Sequence, residues 1–83
     1  MKTEVIQIEK AKYLDGHKVQ LYFSDGKKRI IDFKEFLLKA KNPMTTQFLN
    51  LKKFKKFKVV YGDLLWGDYE MCFPIFDLYE GKI

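Results

Sequence analysis

Two Asp-Gly dipeptides divide the first part of the chain into three short segments of β character. Asp15-Gly16 and Asp25-Gly26 fall between residues 4–13, 18–24 and 27–33. Asp-Gly favours tight hairpin turns, because both central residues of a type I′ turn need a positive φ. The sequence therefore predicts a three-stranded antiparallel meander at the start of the fold.

The register of the first hairpin follows from residues 19–23, where apolar and polar side chains alternate. Such alternation is typical of a strand with one buried face. A two-residue turn before this strand would place lysines on that face. A five-residue loop over 14–18 instead pairs Tyr13 with Val19, and a β-bulge near Lys10 restores the parity of the residues before it. We favour the longer loop with the bulge.

A helix is predicted after the meander, because the apolar residues of 33–40 recur at the spacing of one helical face. Asp32 is the expected N-cap, and Glu35 stands where a capping box places its acidic residue. Asn42-Pro43 is expected to end the helix, since the residue before a proline disfavours helical geometry.

The rest of the chain predicts a short helical segment, a second hairpin and a closing turn. Apolar residues recur at every third position from 48 to 57, as in a short helix or 3₁₀ turn. Two strands are expected on either side of Gly62-Asp63, the second with room to extend towards Phe73. Because a proline suits the first position of a helix, residues 74–80 predict a final helical turn.

Together these elements predict a single α+β domain over residues 1–83, with a small antiparallel sheet and one or two short helices packed on it. A chain of 83 residues is long enough for one domain and too short for two. The residues expected to be mostly buried are Val19, Leu21, Phe23, Phe36, Leu37, Phe54 and Trp66.

The composition limits where such a protein works. Cys72 is the only cysteine in the sequence, so no internal disulfide can form and a secreted disulfide scaffold is excluded. No apolar run approaches the roughly 20 residues of a membrane span, and the charged first residues are unlike a signal peptide. We therefore expect a cytoplasmic protein with no membrane contact.

Several short motifs occur in a characteristic order. Phe23-Ser24-Asp25-Gly26 precedes a basic strand, Asp32-Phe33 precedes a helix, and Trp66-Gly67-Asp68 and Pro74 come before Leu78-Tyr79. This order resembles the prokaryotic domain-of-unknown-function family 2442, and the likeness covers nearly the whole chain. The resemblance implies a bacterial α+β protein with no established activity, similar to small accessory proteins found beside a second small protein.

Basic residues are concentrated in the first part of the chain: residues 1–58 hold fifteen basic and six acidic residues, and residues 59–83 hold one and five. The densest segment, residues 51–58, interleaves lysines with phenylalanines, a composition that suits phosphates and bases. The spacing favours Phe54 and Phe57 as core residues, with the lysines as a solvated face. Nucleic-acid binding is the alternative function, and its residues would be Lys52, Lys53, Lys55, Lys56 and Lys58.

An acidic group, Asp63, Asp68 and Glu70, surrounds Trp66 in the second hairpin. No motif supports a Mg²⁺ or Ca²⁺ site or a catalytic carboxylate pair here, which leaves a solvated hairpin or a recognition surface. Trp and Tyr dominate interface energetics, but the sequence is equally compatible with Trp66 in the core. The candidate partner-binding residues are Trp66, Asp68, Tyr69 and Glu70.

No catalytic constellation is recognisable in the sequence. His17 is the only histidine and lies in a predicted loop, while Cys72 lies in an apolar stretch far along the chain. A Cys-His pair could act as nucleophile and base, but a solvated histidine and a buried, inert cysteine are expected. A structural zinc site needs about four Cys or His ligands, so we expect no metal, no cofactor and no enzymatic activity.

The chain is therefore expected to be a non-catalytic protein-interaction or accessory module of the antitoxin-like kind, with a small protein partner. Its recognition surface is expected at residues 64–70. An open sheet edge carries unpaired backbone groups that can pair with another chain. Any homodimer is therefore expected to use the Val5–Ile8 edge of the first strand.

Overall fold

The computed structural model describes residues 6–67 and 69–83, and the fold within them is α+β, as expected. Residues 1–5, which include the predicted start of the first strand, lie outside the described residues. The strands are β1 (Ile8–Tyr13), β2 (Lys18–Phe23), β3 (Lys28–Asp32), β4 (Lys58–Val60), β5 (Asp63–Trp66) and β6 (Met71–Cys72). The helices are α1 (Lys34–Lys39), α2 (Pro43–Thr46), α3 (Leu51–Phe54) and α4 (Ile75–Glu80), with a 3₁₀ turn over Gln47–Leu49.

The described strands form two three-stranded antiparallel sheets, in the orders β1-β2-β3 and β4-β5-β6. The small sheet that the sequence predicts is therefore divided in two. The sheets meet where the backbone N–H of Ile8 donates to the carbonyl O of Gly62 at 2.9 Å. Buried side chains from both sheets and from the helices form a continuous apolar core between them.

The first sheet has the register that its alternating side chains predict. Tyr13 pairs with Val19 across the five-residue loop, so the lysines of β1 stay off the core face. The pairing shifts between Ile8 and Lys10, which confirms the predicted β-bulge. The bulge allows Ile8 to enter the core although it lies out of phase with the rest of the strand.

The backbone just before β1 is the edge at which a homodimer is predicted. Ser24 N donates to Gln7 O at 2.8 Å, and Gln7 N donates to the Ser24 Oγ at 3.1 Å. With the bond from Ile8 to Gly62, these groups are satisfied within the chain, and Val5 lies outside the described residues. Self-association here stays a prediction, and it would require some of these bonds to be exchanged.

The second sheet begins with a hairpin whose turn lies one residue earlier than expected. Val60 pairs with Asp63, so the turn is Tyr61-Gly62, with φ of 51° and 82°. Positive φ at both positions is what a type I′ turn requires. The second strand does not extend to Phe73, because the chain reverses after Trp66 and β6 pairs with β5.

The helix signals are confirmed in part. The N-cap of α1 is Phe33 rather than the predicted Asp32, which ends β3. The Asp32 Oδ1 still accepts a hydrogen bond from the Lys34 N–H at 3.0 Å. The capping box is not formed, because Glu35 pairs with Lys39 at 2.8 Å. The helix ends earlier than Asn42-Pro43, at Lys39 with Ala40 as its C-cap. The Asn42 side chain instead caps α2 with a hydrogen bond of 2.9 Å.

The apolar repeat over 48–57 forms the predicted helical segment but not a continuous buried face. Phe48 and Phe54 are buried, whereas Leu51 is exposed. Asn50 explains the difference, because its Oδ1 accepts from Lys52 N at 2.9 Å and so starts α3 anew after the 3₁₀ turn. The cap breaks the phase of the repeat at this point.

The core contains the residues that the sequence pattern predicts, apart from one that is only half-buried. Phe36 is the half-buried residue. The confirmed residues are Val19, Leu21, Phe23, Leu37, Phe54 and Trp66. The predicted closing turn is α4, which follows Pro74 and buries Leu78. No helix within the described ranges has the length and apolar character needed to cross a membrane.

Candidate functional site

Trp66, the central residue of the expected recognition surface, lies wholly in the core. Its side chain is 0% exposed, and its indole Nε1 donates to the carbonyl O of Phe54 at 2.8 Å. The rings of Phe33 and Phe54 pack against it with centroids 5.2 and 5.5 Å away. An anchor for a partner must be accessible, so the structure supports the core alternative for Trp66.

The turn between β5 and β6 presents other predicted partner-binding residues. Glu70 N donates to Trp66 O at 3.0 Å and closes the turn. Tyr69 is 56% exposed and has a φ of 61°, and Glu70 is exposed beside it. Asp68 lies outside the described residues. Left-handed backbone costs a non-glycine residue roughly 1–2 kcal/mol, so the turn holds an exposed tyrosine under strain.

The basic segment, residues 51–58, exposes its lysines but not its rings. Phe54 is buried, and Phe57 packs on the core rings of Phe54 and Trp66, so neither ring is free to stack on a base. The Lys55 ammonium lies 4.9 Å from the centroid of the Tyr13 ring. The exposed lysines, none of which forms an ion pair with another described residue, are Lys52, Lys53, Lys55, Lys56 and Lys58.

A groove of about 430 Å³ brings the basic segment and the β5–β6 turn together. This volume is within the range of small-ligand pockets. The lining residues of this lysine groove are Gln47, Phe48, Lys53, Lys56, Lys58, Gly67 and Glu70. A Cβ at Gly67 would clash with the Glu70 carboxylate, so glycine allows that side chain to lie over the turn. With three lysines and one glutamate, the lining favours an anionic group.

The expectations for His17 and Cys72 are both wrong. His17 is 8% exposed, with its Nε2 3.0 Å from Leu49 O and its ring 4.9 Å from the Phe54 ring, because its loop folds over the core. Cys72 is exposed, since it alternates with the buried Met71 along β6. In the described part of the chain, no group of three or more His, Cys, Asp or Glu residues could hold a metal ion.

The last helix is fixed on the first sheet by its Leu-Tyr pair. Leu78 is buried, and the Tyr79 ring packs on Phe23 with centroids 5.1 Å apart. The Tyr79 hydroxyl donates to Asp25 at 2.5 Å and holds the pKa of that carboxyl below its usual value. Arg29 Nε donates to the Tyr79 carbonyl O at 2.8 Å. The Asp-Gly turn and the Leu-Tyr end, two distant motifs of the sequence, therefore meet in space.

The family model described as "Protein of unknown function (DUF2442)" matches residues 8–83. The chain belongs to the DUF2442 family. The match runs from the first residue of β1 to Ile83, so in this DUF2442 domain it includes the lysine groove and the contact between Asp25 and Tyr79. No curated protein and no solved structure matches the chain significantly.

Sequence reasoning missed part of the surface of this DUF2442 domain. Gln47 and Phe48 line the lysine groove, and no local signal indicates it, because their position depends on how the 3₁₀ turn packs beside the β5–β6 turn. Tyr61 is 91% exposed in the first turn of the second sheet. The Tyr-Gly dipeptide beside the predicted turn was a signal for this exposure, since a residue at the tip of a hairpin buries little.

Proposed function

We propose that this DUF2442 domain is a non-catalytic protein-interaction module, an accessory subunit of the antitoxin-like kind that acts in the cytoplasm. It binds a small protein partner through Tyr69 and the lysine groove beside it. The exposed thiol of Cys72 suits the reducing conditions of that compartment.

The observation that carries the proposal is the exposed, left-handed Tyr69, which, unlike the left-handed Tyr61, stands next to Glu70 of the lysine groove. Glycine or asparagine would adopt a φ of 61° at lower cost. The core gains little from a ring that is 56% exposed. Tyrosine is among the residues that contribute most to interface energy. Partner binding therefore accounts for a tyrosine at a position where folding alone favours a smaller residue.

The lysine groove supports a particular chemistry for the partner. Lys53, Lys56 and Lys58 contribute positive charge, and Glu70 contributes one negative charge. Phe48 adds an apolar part to the lining. An acidic segment of the partner would complement these charges, and such complementarity mainly increases the association rate and the selectivity.

The experiment compares two tyrosines at opposite ends of β5. The product of the neighbouring gene is co-expressed with the wild-type domain, with Tyr69→Asn or with Tyr61→Asn, and co-purification is measured. Both substitutions remove an exposed ring from a left-handed position, so they change the backbone strain in the same way. We expect only Tyr69→Asn to weaken partner binding, about tenfold or more, while both variants stay folded.

The lysine groove is tested by a second pair of variants. Lys53→Gln/Lys56→Gln removes two charges from the groove, and Lys52→Gln/Lys55→Gln removes two from the same segment outside it. We expect the first pair to slow association and to reduce its dependence on salt more than the second. If Tyr69→Asn binds the partner as well as the wild type does, the proposed site is wrong. Failure to retain any co-expressed neighbour would count against an interaction module.

A further inference from the structure

The solvent face of the first sheet is a second positively charged surface. The apolar residues of β2 point into the core, so the alternate residues of that strand point outward. Antiparallel pairing adds neighbours from β1 and β3 to the same side. This sheet face consists of Lys10, Lys12, Lys18, Gln20, Tyr22, Lys28, Ile30 and Asp32.

Tyr22 occupies the middle strand of this sheet face, between two lysines. The Lys10 and Lys28 ammonium groups lie 5.5 and 5.6 Å from the centroid of its ring. Its hydroxyl donates to the Gln20 Oε1 at 3.1 Å. The ring is therefore held in a defined orientation on the side of the sheet that faces away from the core.

Positive charge dominates the sheet face, which carries four lysines and one aspartate. None of these lysines forms an ion pair with another residue in the described ranges. The Oδ1 of Asp32 already accepts a backbone N–H at the start of α1. Ile30, which is 57% exposed, adds an apolar side chain beside Gln20. A polyanion that also carries flat apolar groups would complement all of these features.

We propose that the sheet face binds single-stranded nucleic acid, with a base stacked on Tyr22 and adjacent phosphates paired with Lys10 and Lys28. Single strands expose bases that can stack on aromatic rings, and open antiparallel sheets are among the surfaces that present such rings. The flexible lysine stems allow a base to replace an ammonium group on the ring while that group pairs with a phosphate. This inference goes beyond the protein-interaction module, since it assigns another ligand to another surface.

The Tyr22 ring favours single-stranded nucleic acid over an acidic protein as the ligand of the sheet face. A polypeptide rich in Asp and Glu would gain from the lysines, but it carries no bases to stack on Tyr22. The basic segment, by contrast, offers lysines whose neighbouring rings are turned into the core. The sheet face therefore combines phosphate contacts with a stacking ring, and the basic segment does not.

The test uses the whole chain and a fluorescein-labelled oligothymidylate of about twelve nucleotides, a length within the site sizes of single-strand binding surfaces. Fluorescence anisotropy is measured over a series of salt concentrations. We expect Tyr22→Leu to weaken binding about tenfold with little change in the salt dependence, and Tyr22→Phe to bind like the wild type. Lys10→Gln/Lys28→Gln should make the negative slope of log K against log salt less steep by about 1.4, because each phosphate contact contributes about 0.7.

The matched control is Lys53→Gln/Lys56→Gln, which removes the same charge from the lysine groove. If it weakens binding as much as Lys10→Gln/Lys28→Gln, the attraction comes from overall charge and the proposal is overturned. The proposal also fails if the wild type does not bind at low salt, or if Tyr22→Leu binds like the wild type. Competition by polyglutamate as effective as by unlabelled oligonucleotide would assign the sheet face to an acidic protein instead.

Two further measurements separate this inference from the proposed function. Thermal unfolding by circular dichroism checks that each variant is folded, which is expected because the substituted side chains lie on the solvent side of the sheet. Tyr22→Leu should retain the protein partner that Tyr69→Asn loses. Loss of both ligands by Tyr22→Leu in a folded domain would contradict the assignment of two separate surfaces.

Discussion

The indole Nε1 of Trp66 donates a hydrogen bond to the carbonyl O of Phe54 at 2.8 Å and so joins the second sheet to the basic segment. Both side chains are fully buried. Because Phe54 is turned inward, Lys53 and Lys55 on either side of it are turned to solvent. This contact holds the basic segment against the second sheet while the lysines beside Phe54 stay exposed.

We expect Trp66→Ala to lower the free energy of unfolding by about 3–5 kcal/mol, because truncating a buried aromatic leaves a cavity. The carbonyl O of Phe54 would also lose its donor. Trp66→Phe should cost less, since it keeps most of the apolar volume. Urea denaturation followed by circular dichroism measures both. A stable Trp66→Ala domain that has lost only its partner would place Trp66 in the interface instead.

Leu37 and Leu38 are adjacent in α1 and provide a matched pair. Leu37 is fully buried, whereas Leu38 is 62% exposed. We expect Leu37→Ala to lower the free energy of unfolding by about 2–5 kcal/mol, and Leu38→Ala to change it by no more than about 0.5 kcal/mol. Denaturation of both variants under the same conditions checks this. Equal losses would mean that α1 packs with a different face towards the core.

Local side-chain patterns predicted the features of the fold that depend on adjacent strands. The loop and the bulge of the first hairpin follow from the alternation along β2, because other registers bury lysines. Leu51 shows where a pattern fails: its position in the repeat predicts burial, but the Asn50 cap starts a new helix and turns it to solvent. The spacing of apolar residues predicts burial only within one continuous helix, and it does not include the free energy that a new N-cap contributes.

The site was harder to predict, because it forms between segments that are distant in the sequence. Lys53 and Glu70 are recognisable as charged candidates, but only tertiary packing brings them into one groove. Trp66 could have been an anchor or a core residue, since a large aromatic beside a turn suits both. Its burial depends on Phe54, which lies twelve positions earlier. His17 is buried for a similar reason, since the Phe54 ring also packs against it.

Tyr61 is expected to be a less favourable residue for its turn than asparagine would be. Its φ of 51° suits asparagine better than tyrosine, and its ring is 91% exposed, so the ring contributes little burial. We expect Tyr61→Asn to raise the free energy of unfolding by about 0.5–1 kcal/mol. Tyr61→Val should lower it, because a β-branched residue is especially unfavourable at positive φ. Thermal unfolding of the two variants measures both signs, and a destabilised Tyr61→Asn would contradict the strained turn.

The contact between Tyr79 and Asp25 makes part of the free energy of unfolding depend on pH. The Tyr79 hydroxyl, followed by the backbone N–H of Lys27, holds the pKa of the Asp25 carboxyl below its usual value of 3.8. A carboxyl whose pKa is lower in the folded state stabilises the fold above its unfolded pKa. That contribution is lost as the pH falls through the folded pKa.

Tyr79→Phe removes the first of these donors and keeps the ring that packs on Phe23. We expect the variant to have a lower urea midpoint than the wild type near neutral pH, because the ionised carboxylate of Asp25 then loses a hydrogen bond. The difference should narrow as the pH falls below about 3.8, where protonation removes the charge that the hydroxyl stabilises. Tyr61→Phe, which changes an exposed hydroxyl, is the control and should follow the wild type throughout. A difference between Tyr79→Phe and the wild type that does not vary with pH would show that the hydroxyl stabilises the fold independently of the Asp25 charge.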